Sequence, residues 1–394
     1  MDREGRKIVF WTGATSGLNF LAVQELLFKA SQISSSHLEK TKTGNHTRQK
    51  SASSISSGSS DLSRFEVLRL HLILTLRDPS SESSRTTVQR LKVLADQSNS
   101  VVEGVECDLA SFKSVRNCVS KVIQDYSEIS TVVLGAGIYC WGPPSYTEVD
   151  HCEMGMEINH LSQWLLVALL SSHIRDRVVF VNSALYKNAD MTSVMSASKR
   201  KSHKADVVPV SYAATKAMQA ICLGGWEIIF HEKNVDVLMC TPGFVPTTEL
   251  HRHTPTYMQF LMRHVVSRMW FVKTPEHGAH VIALTAMSHA YKGKSNICVN
   301  KNKKPERLNF KKVKMDLVET IESPQPLTSS NSSAEDVPSV PRSENPDFVA
   351  ALESKDESHK AERLAYWNWT CAVTKERELM MSDNDSFRWD EYSL

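Results

Sequence analysis

No single sign of charge dominates this chain. Lys and Arg number 46 against 44 Asp and Glu, a formal net charge of +2, so no global field selects nucleic acid or an acidic surface as partner. Metal-binding spacing is also missing. The eight cysteines (Cys107, Cys118, Cys140, Cys152, Cys222, Cys240, Cys298 and Cys371) form no CxxC pair and no cysteine/histidine cluster. No metal is therefore expected, and free thiols in a reducing, cytoplasmic setting are. Met1 to Lys7 runs into a strand-like segment with no apolar signal region. No window reaches the ~18 uncharged apolar residues of a membrane span. The nearest, Tyr257 to Val272, contains Arg263, His264 and Arg268. It suits an ordinary amphipathic surface helix or an interfacial, substrate-covering one, the latter permitting peripheral contact with an intracellular membrane. No internal repeat is present.

What remains is long and apolar enough for one large core: 394 residues, 41% of them hydrophobic. Apolar runs recur at Lys7–Thr12, Leu70–Leu76, Val101–Cys107, Thr131–Leu134, Val178–Val181, Val235–Cys240 and Asn296–Val299. They are continuous rather than alternating, as in strands buried on both faces. Helical periodicity lies between them, at Asn19–Ala30 (Leu21, Val23, Leu26 and Leu27) and Val88–Ala95. The expectation is an α/β fold with a Rossmann-type, doubly wound parallel sheet in a single domain over 1–310. Residues 31–61, rich in Ser, Lys and Thr, read as a flexible insertion. Residues 311–346 read as a low-complexity linker. Residues 347–394 read as a helical tail docking through Leu364, Trp367 and Trp369.

In such sheets ligands bind outside the carboxyl ends of the strands, and the polar and glycine signals fall there. Thr12-Gly13-Ala14-Thr15-Ser16-Gly17-Leu18-Asn19 joins strand to helix. It reads as a phosphate-cradling turn at a helix N-terminus, or as a tight turn without a ligand. Arg77 follows the second strand, where an arginine can pair with the extra phosphate of NADP, although Asp78 adjoins it. Ser183 ends the fifth strand. Tyr212 and Lys216, four apart, share a helix face. An ammonium there would lower the phenol pKa and make Tyr212 a general acid/base. Asn159, inside an apolar helix, needs partners and would hold a backbone carbonyl or a relay water, or is simply a satisfied structural amide. Lys199, Arg200, Lys201 and Lys204 read as a solvated basic loop near the site mouth, or as a basic targeting or phospholipid-binding patch.

Taken together, the glycine turn, Asp108, Asn159, Ser183, Tyr212 with Lys216, and Pro242-Gly243 resemble the short-chain dehydrogenase/reductase family. Asn159-His160-Leu161, the Pro242–Leu250 segment and Lys273–Ala279 are similar to its retinol-dehydrogenase-like branch, related to the WW-domain oxidoreductases. The resemblance implies hydride transfer with NADP rather than NAD, on apolar alcohols and carbonyls of lipid metabolism such as retinoids, steroids and lipid aldehydes. It implies Tyr212 as acid/base, Lys216 on the nicotinamide ribose, Ser183 orienting the carbonyl and Asn159 anchoring a relay. It assigns Thr12, Gly13, Ser16, Gly17 and Leu18 to the phosphates, Arg77 to the NADP phosphate, and Asp108 and Leu109 to the adenine. Ala136, Gly137, Pro242 and Gly243 complete the cofactor contacts, and a homodimer is compatible. Three positions depart from the pattern: Asn19 replaces a glycine, Gly135 an asparagine, and Ser162 a glycine. Asn19 is expected to crowd the cofactor or the helix–strand contact, and Gly135 to remove a bracing amide. These two favour an alternative reading, a Rossmann-type binding or regulatory protein with weak cofactor grip.

Overall fold

The computed structural model describes Asp2, 4–42, 69–199, 210–246 and 272–314 (backbone only for 34–42 and 197–199). It also describes Tyr257, Phe260, His264, Arg268, Met269, Tyr366, Trp369, Thr370 and Thr374 singly. Eight strands form one sheet: β1 (Lys7–Thr12), β2 (Leu70–Leu76), β3 (Val101–Glu106), β4 (Ile129–Leu134), β5 (Ile174–Val181), β6 (Asp236–Cys240), β7 (Ile297–Val299) and β8 (Pro305–Arg307). Their order is β3-β2-β1-β4-β5-β6-β7-β8. All neighbours pair in parallel except β7 with β8. The order reverses between β1 and β4, which opens a crevice at their carboxyl ends.

The helices are α1 (Gly17–Lys42), α2 (Glu82–Asp96), α3 (Phe112–Asp125), a composite α4, α5 (Thr192–Lys199), α6 (Tyr212–His231) and α7 (Pro275–Met287). Composite α4 joins Met154–Met156, a π-helical turn Glu157–Leu161, and Ser162–Leu170. Strand side chains alternate between two cores. Ile8, Phe10, Val132, Val178 and Val237 face the layer of α3, α4 and α6. Val9, Trp11, Val133, Val179 and Leu238 face α1, α2 and α7. Burial on both faces is why these runs read as continuous rather than alternating.

Helix α1 does not stop at Ala30 but continues to Lys42, so the stretch expected to loop out from Ser31 begins as helix. The rest of that stretch lies outside the described residues, as do Arg200 to Lys204, the 315–346 part of the linker and most of the tail. Of the three named docking residues, only Trp369 is described. It is buried with Tyr366 in the α4/α6 core, and the Tyr366 ring lies 5.8 Å from that of His160. Strand β8 had no signal in the sequence beyond Pro305 at its start.

Candidate active site

The β1–α1 turn is fastened to the end of β4 by three contacts. Thr12 is fully buried, and its Oγ1 accepts from the Gly135 amide at 3.0 Å and the Ala136 amide at 3.1 Å. Gly13 has φ +71°, and a Cβ there would lie 2.6 Å from the Ala136 Cα, so only glycine permits this approach. Asn19 supplies the third contact. Its Nδ2 donates to the Gly135 carbonyl at 2.8 Å, and its Oδ1 accepts from Trp11 Nε1 at 3.1 Å.

This corrects the expected crowding. The Asn19 amide turns into the sheet, where it is 8% exposed, rather than toward the helix tip. The two departures also fit one another. A Cβ on Gly135 would fall 2.1 Å from Asn19 Oδ1, so the bracing amide expected to be lost at 135 is supplied from α1. Ser162 is accommodated similarly: its hydroxyl donates to the Leu109 carbonyl at 2.7 Å, tying α4 to the loop after β3.

The start of α1 fits an anionic ligand. Gly17 has φ +58°, and a Cβ there would meet nothing within 4 Å; Ser16 is exposed. Bare backbone at a helix N-terminus offers N–H groups and a favourable dipole to a phosphate. Leu18 instead packs against Gly278, from whose Cβ position it lies 3.1 Å. Arg77 is exposed at the end of β2. Asp78 is held in the next turn, accepting from Ser80 N at 2.8 Å and Ser80 Oγ at 2.6 Å. Those bonds, with a smaller contribution from the neighbouring Arg77 charge, lower the Asp78 pKa. Asp108 Oδ1 accepts from the Ala110 amide at 3.0 Å, shaping the loop that carries Leu109.

The π-helical turn presents Asn159, which is fully buried. Its Oδ1 accepts from the Ile138 amide at 2.8 Å. Its Nδ2 donates to the Ile138 carbonyl at 3.0 Å and to Thr215 Oγ1 at 3.1 Å. The side chain thus braces the loop after β4 against α6. Its backbone carbonyl accepts from Gln219 Nε2 at 2.6 Å and Gln163 Nε2 at 3.2 Å. Gly137 sits alongside, its Cβ position 3.4 Å from Asn159 Oδ1 and 3.8 Å from Lys216 Nζ.

Ser211 caps α6, placing Tyr212 at the first position of the helix and Lys216 one turn on. Lys216 is 3% exposed. Its Nζ donates to the Val181 carbonyl at 3.1 Å and to Gln219 Oε1 at 3.0 Å, and lies 5.9 Å from the Tyr212 ring centroid. Burial lowers the Lys216 pKa to about 8. Burial, with a smaller contribution from Tyr139, raises that of Tyr212. The expected depression of the phenol pKa is therefore corrected: desolvation outweighs an ammonium whose bonds go to a strand end and a glutamine. Ser183 Oγ accepts from the Leu185 amide at 3.3 Å. Its own amide donates to Asn182 Oδ1 at 2.6 Å, and Asn182 Nδ2 donates to the Lys216 carbonyl at 3.0 Å. Pro242 and Gly243 follow β6, Gly243 with φ +97° and its Cβ position 2.9 Å from Lys273 Cγ.

All these residues lie at the carboxyl ends of β1 to β6. Sequence reasoning missed Asn182, Thr215, Gln163 and Gln219. The available signals were Gln163 four residues after Asn159 and Gln219 three after Lys216, each on its neighbour's helix face. Among the described residues, no group of three or more His, Cys, Asp or Glu could hold a metal, and no helix is long and apolar enough to cross a membrane.

Residues 73–257 match the family model for short chain dehydrogenase. The chain is 32% identical to human (Homo sapiens) retinol dehydrogenase 14 over 197 residues, covering 48% of this chain and 56% of that protein. It is 26% identical to human retinol dehydrogenase 13 over 190 residues, 46% of this chain and 55% of that one. The chain thus spans little more than half the length of the curated relatives it matches. A dehydrogenase/reductase from Sinorhizobium meliloti 1021 is similar in structure with a TM-score of 0.49 at 15% identity, covering 75% of this chain and 92% of that one. Residues 73–257 are thus similar to the short chain dehydrogenase family, and the chain's curated likenesses are to retinol dehydrogenases.

Proposed function

We propose that the protein is an NADP(H)-dependent oxidoreductase that interconverts an apolar alcohol and its aldehyde or ketone. One observation carries the reading. A buried amine, Lys216, stands beside Gly137 and one helical turn from Tyr212, at the carboxyl end of the sheet, which also carries the bare N-terminus of α1. Backbone N–H groups around Gly13, Ser16 and Gly17 would hold a diphosphate, and Arg77 the additional phosphate that distinguishes NADP. Asp108 and Leu109 would flank the adenine. Lys216 would donate to the nicotinamide ribose. The bound nicotinamide supplies or accepts a hydride.

Tyr212 holds its proton at neutral pH because burial disfavours the phenolate. It is thereby suited to donate that proton to a carbonyl oxygen during reduction, with the Ser183 hydroxyl orienting the same oxygen. An apolar substrate is supported by the exposed large side chains. Trp141, Leu185, Phe244, Tyr257, Phe260 and Met269 are all exposed and lie in segments following β4, β5 and β6. Such a rim also favours peripheral contact with a lipid surface. The test is turnover. Purified protein should oxidise NADPH with one or more members of a panel of apolar aldehydes and ketones. Wild-type rates retained by Tyr212→Phe would refute the assignment of the acid/base.

A further inference from the structure

The amide of Gln219 lies between the two groups that define the site. It is 1% exposed, and a buried carboxamide is costly unless both ends are paired. Here both are. Nε2 donates to the Asn159 carbonyl at 2.6 Å, and Oε1 accepts from Lys216 Nζ at 3.0 Å. The Asn159 carbonyl also accepts from Gln163 Nε2 at 3.2 Å, so both of its lone pairs are engaged. Lys216 commits two of its three donors, to Val181 and to Gln219, which leaves one for the crevice on the Gly137 side.

Building on the oxidoreductase reading, we propose that Gln219 is a positioning residue: it bridges the Asn159 carbonyl and the Lys216 amine, and thereby fixes where that amine points. The sequence had left a relay water or a carbonyl as partners of Asn159. The Asn159 side chain holds the Ile138 carbonyl, and two glutamine amides donate to its own backbone carbonyl. A side chain of α6 itself, Gln219, thus links Asn159 to Lys216 through two hydrogen bonds. Being neutral, the glutamine accepts from the ammonium without cancelling its charge, while burial lowers the Lys216 pKa to about 8.

The other titratable groups that bear on Lys216 are Tyr212 on its own helix, His160 on α4 and Cys240 on β6. His160 is held neutral by burial, and burial likewise disfavours the Cys240 thiolate. Gln219 is accordingly the polar side chain whose replacement changes the amine's electrostatics most directly.

The test pairs Gln219→Leu with Gln219→Glu in the full chain. It follows the Lys216 amine by NMR of ¹³C-lysine-labelled protein, with the signal assigned through Lys216→Arg. Leucine removes an acceptor and should move the amine's titration to lower pH. Glutamate adds a charge and should move it to higher pH, by about one pH unit or more. The kcat/KM profile with NADPH should shift the same way, with a roughly 10- to 100-fold loss at neutral pH for Gln219→Leu, carried by kcat. Equal titration of Lys216 in wild type and both variants would overturn the proposal. A purely structural role predicts lowered stability with no opposed shifts. Glutamate is nearly isosteric, so Gln219→Glu keeps the test decisive if the leucine variant fails to fold. The NMR readout needs no turnover: an inactive wild type would refute the oxidoreductase reading alone, while the titrations would still decide the role of Gln219.

Discussion

The two ends of the sheet handle polarity in opposite ways. At the amino end, charges are paired with charges. Arg6 meets Asp2 at 3.2 Å, and His71 bridges Asp2 at 3.1 Å and Glu103 at 3.6 Å. Tyr126 donates to Glu103 at 2.8 Å, and buried Arg177 meets Asp236 at 3.2 Å. At the carboxyl end, neutral amides and hydroxyls do the bracing. Thr12, Asn19, Asn159, Gln163 and Ser162 bond to backbone amides and carbonyls, and Lys216 donates to a carbonyl and a glutamine; carboxylates enter farther out, where Lys187 pairs with Glu306 at 2.8 Å and Asp78 adjoins Arg77. Under the proposed function, the difference supports the carboxyl end as the one that receives a ligand. A self-neutralised end stabilises the fold, whereas an end shaped by neutral groups keeps its positive potential for an incoming anion.

The comparison can be broken in four places. The largest effect should come from Tyr212→Phe, which should cut turnover about 10²- to 10⁴-fold while NADPH affinity stays nearly constant; steady-state kinetics with a fluorescence titration would show both. Next, Arg177→Met at the amino end strips Asp236 of its cation and the Thr285, Ala286 and Ser288 carbonyls of their donor. It should cost about 3–5 kcal/mol in urea unfolding and leave the cofactor affinity of the folded fraction intact. Third, Gly135→Ala should cost about 1–3 kcal/mol by overpacking against Asn19, and Asn19→Gly in the same chain should recover most of it. A double-mutant cycle measures that coupling, and simple additivity would disprove the reciprocal fit.

The smallest effect concerns pH at the amino end. His71 has its pKa raised from 6.5 by Glu103 and Asp2, whose bonds outweigh the opposing burial. Its stabilisation is complete below pH 6.5 and fades as pH rises through the raised value. Asp2 is lowered from 3.8 to about 2: its bonds to the Arg6 amide, His71 and the Arg6 side chain prevail over burial. Its share is complete above 3.8 and is lost as pH falls toward 2. Thermal melts should therefore show a decline on the alkaline side that His71→Gln flattens. An identical slope in the variant would remove His71 from that role.

What the sequence made legible was local. Continuous apolar runs located the strands, and glycine and serine at their ends located the crevice. The four-residue spacing of Tyr212 and Lys216 placed them on one helix face. What it hid was non-local or depended on burial. Asn19 and Gly135 are 116 residues apart, and nothing in either segment alone says that one makes room for the other. The π-helical turn at Glu157–Leu161 carries no compositional mark. The direction of the Tyr212 shift followed from how deeply α6 sits and from where the Lys216 amine finds its acceptors, neither of which periodicity reveals.

The central claim is that the carboxyl-end crevice binds a nicotinamide dinucleotide phosphate. Titration of the purified protein with NADPH, in parallel with NADH, tests it most directly through nicotinamide fluorescence. Saturable binding of NADPH in the range of about 1 μM to 1 mM, weakened toward the NADH value by Arg77→Ala, is the predicted result. No saturable signal from either dinucleotide at millimolar concentration would contradict it.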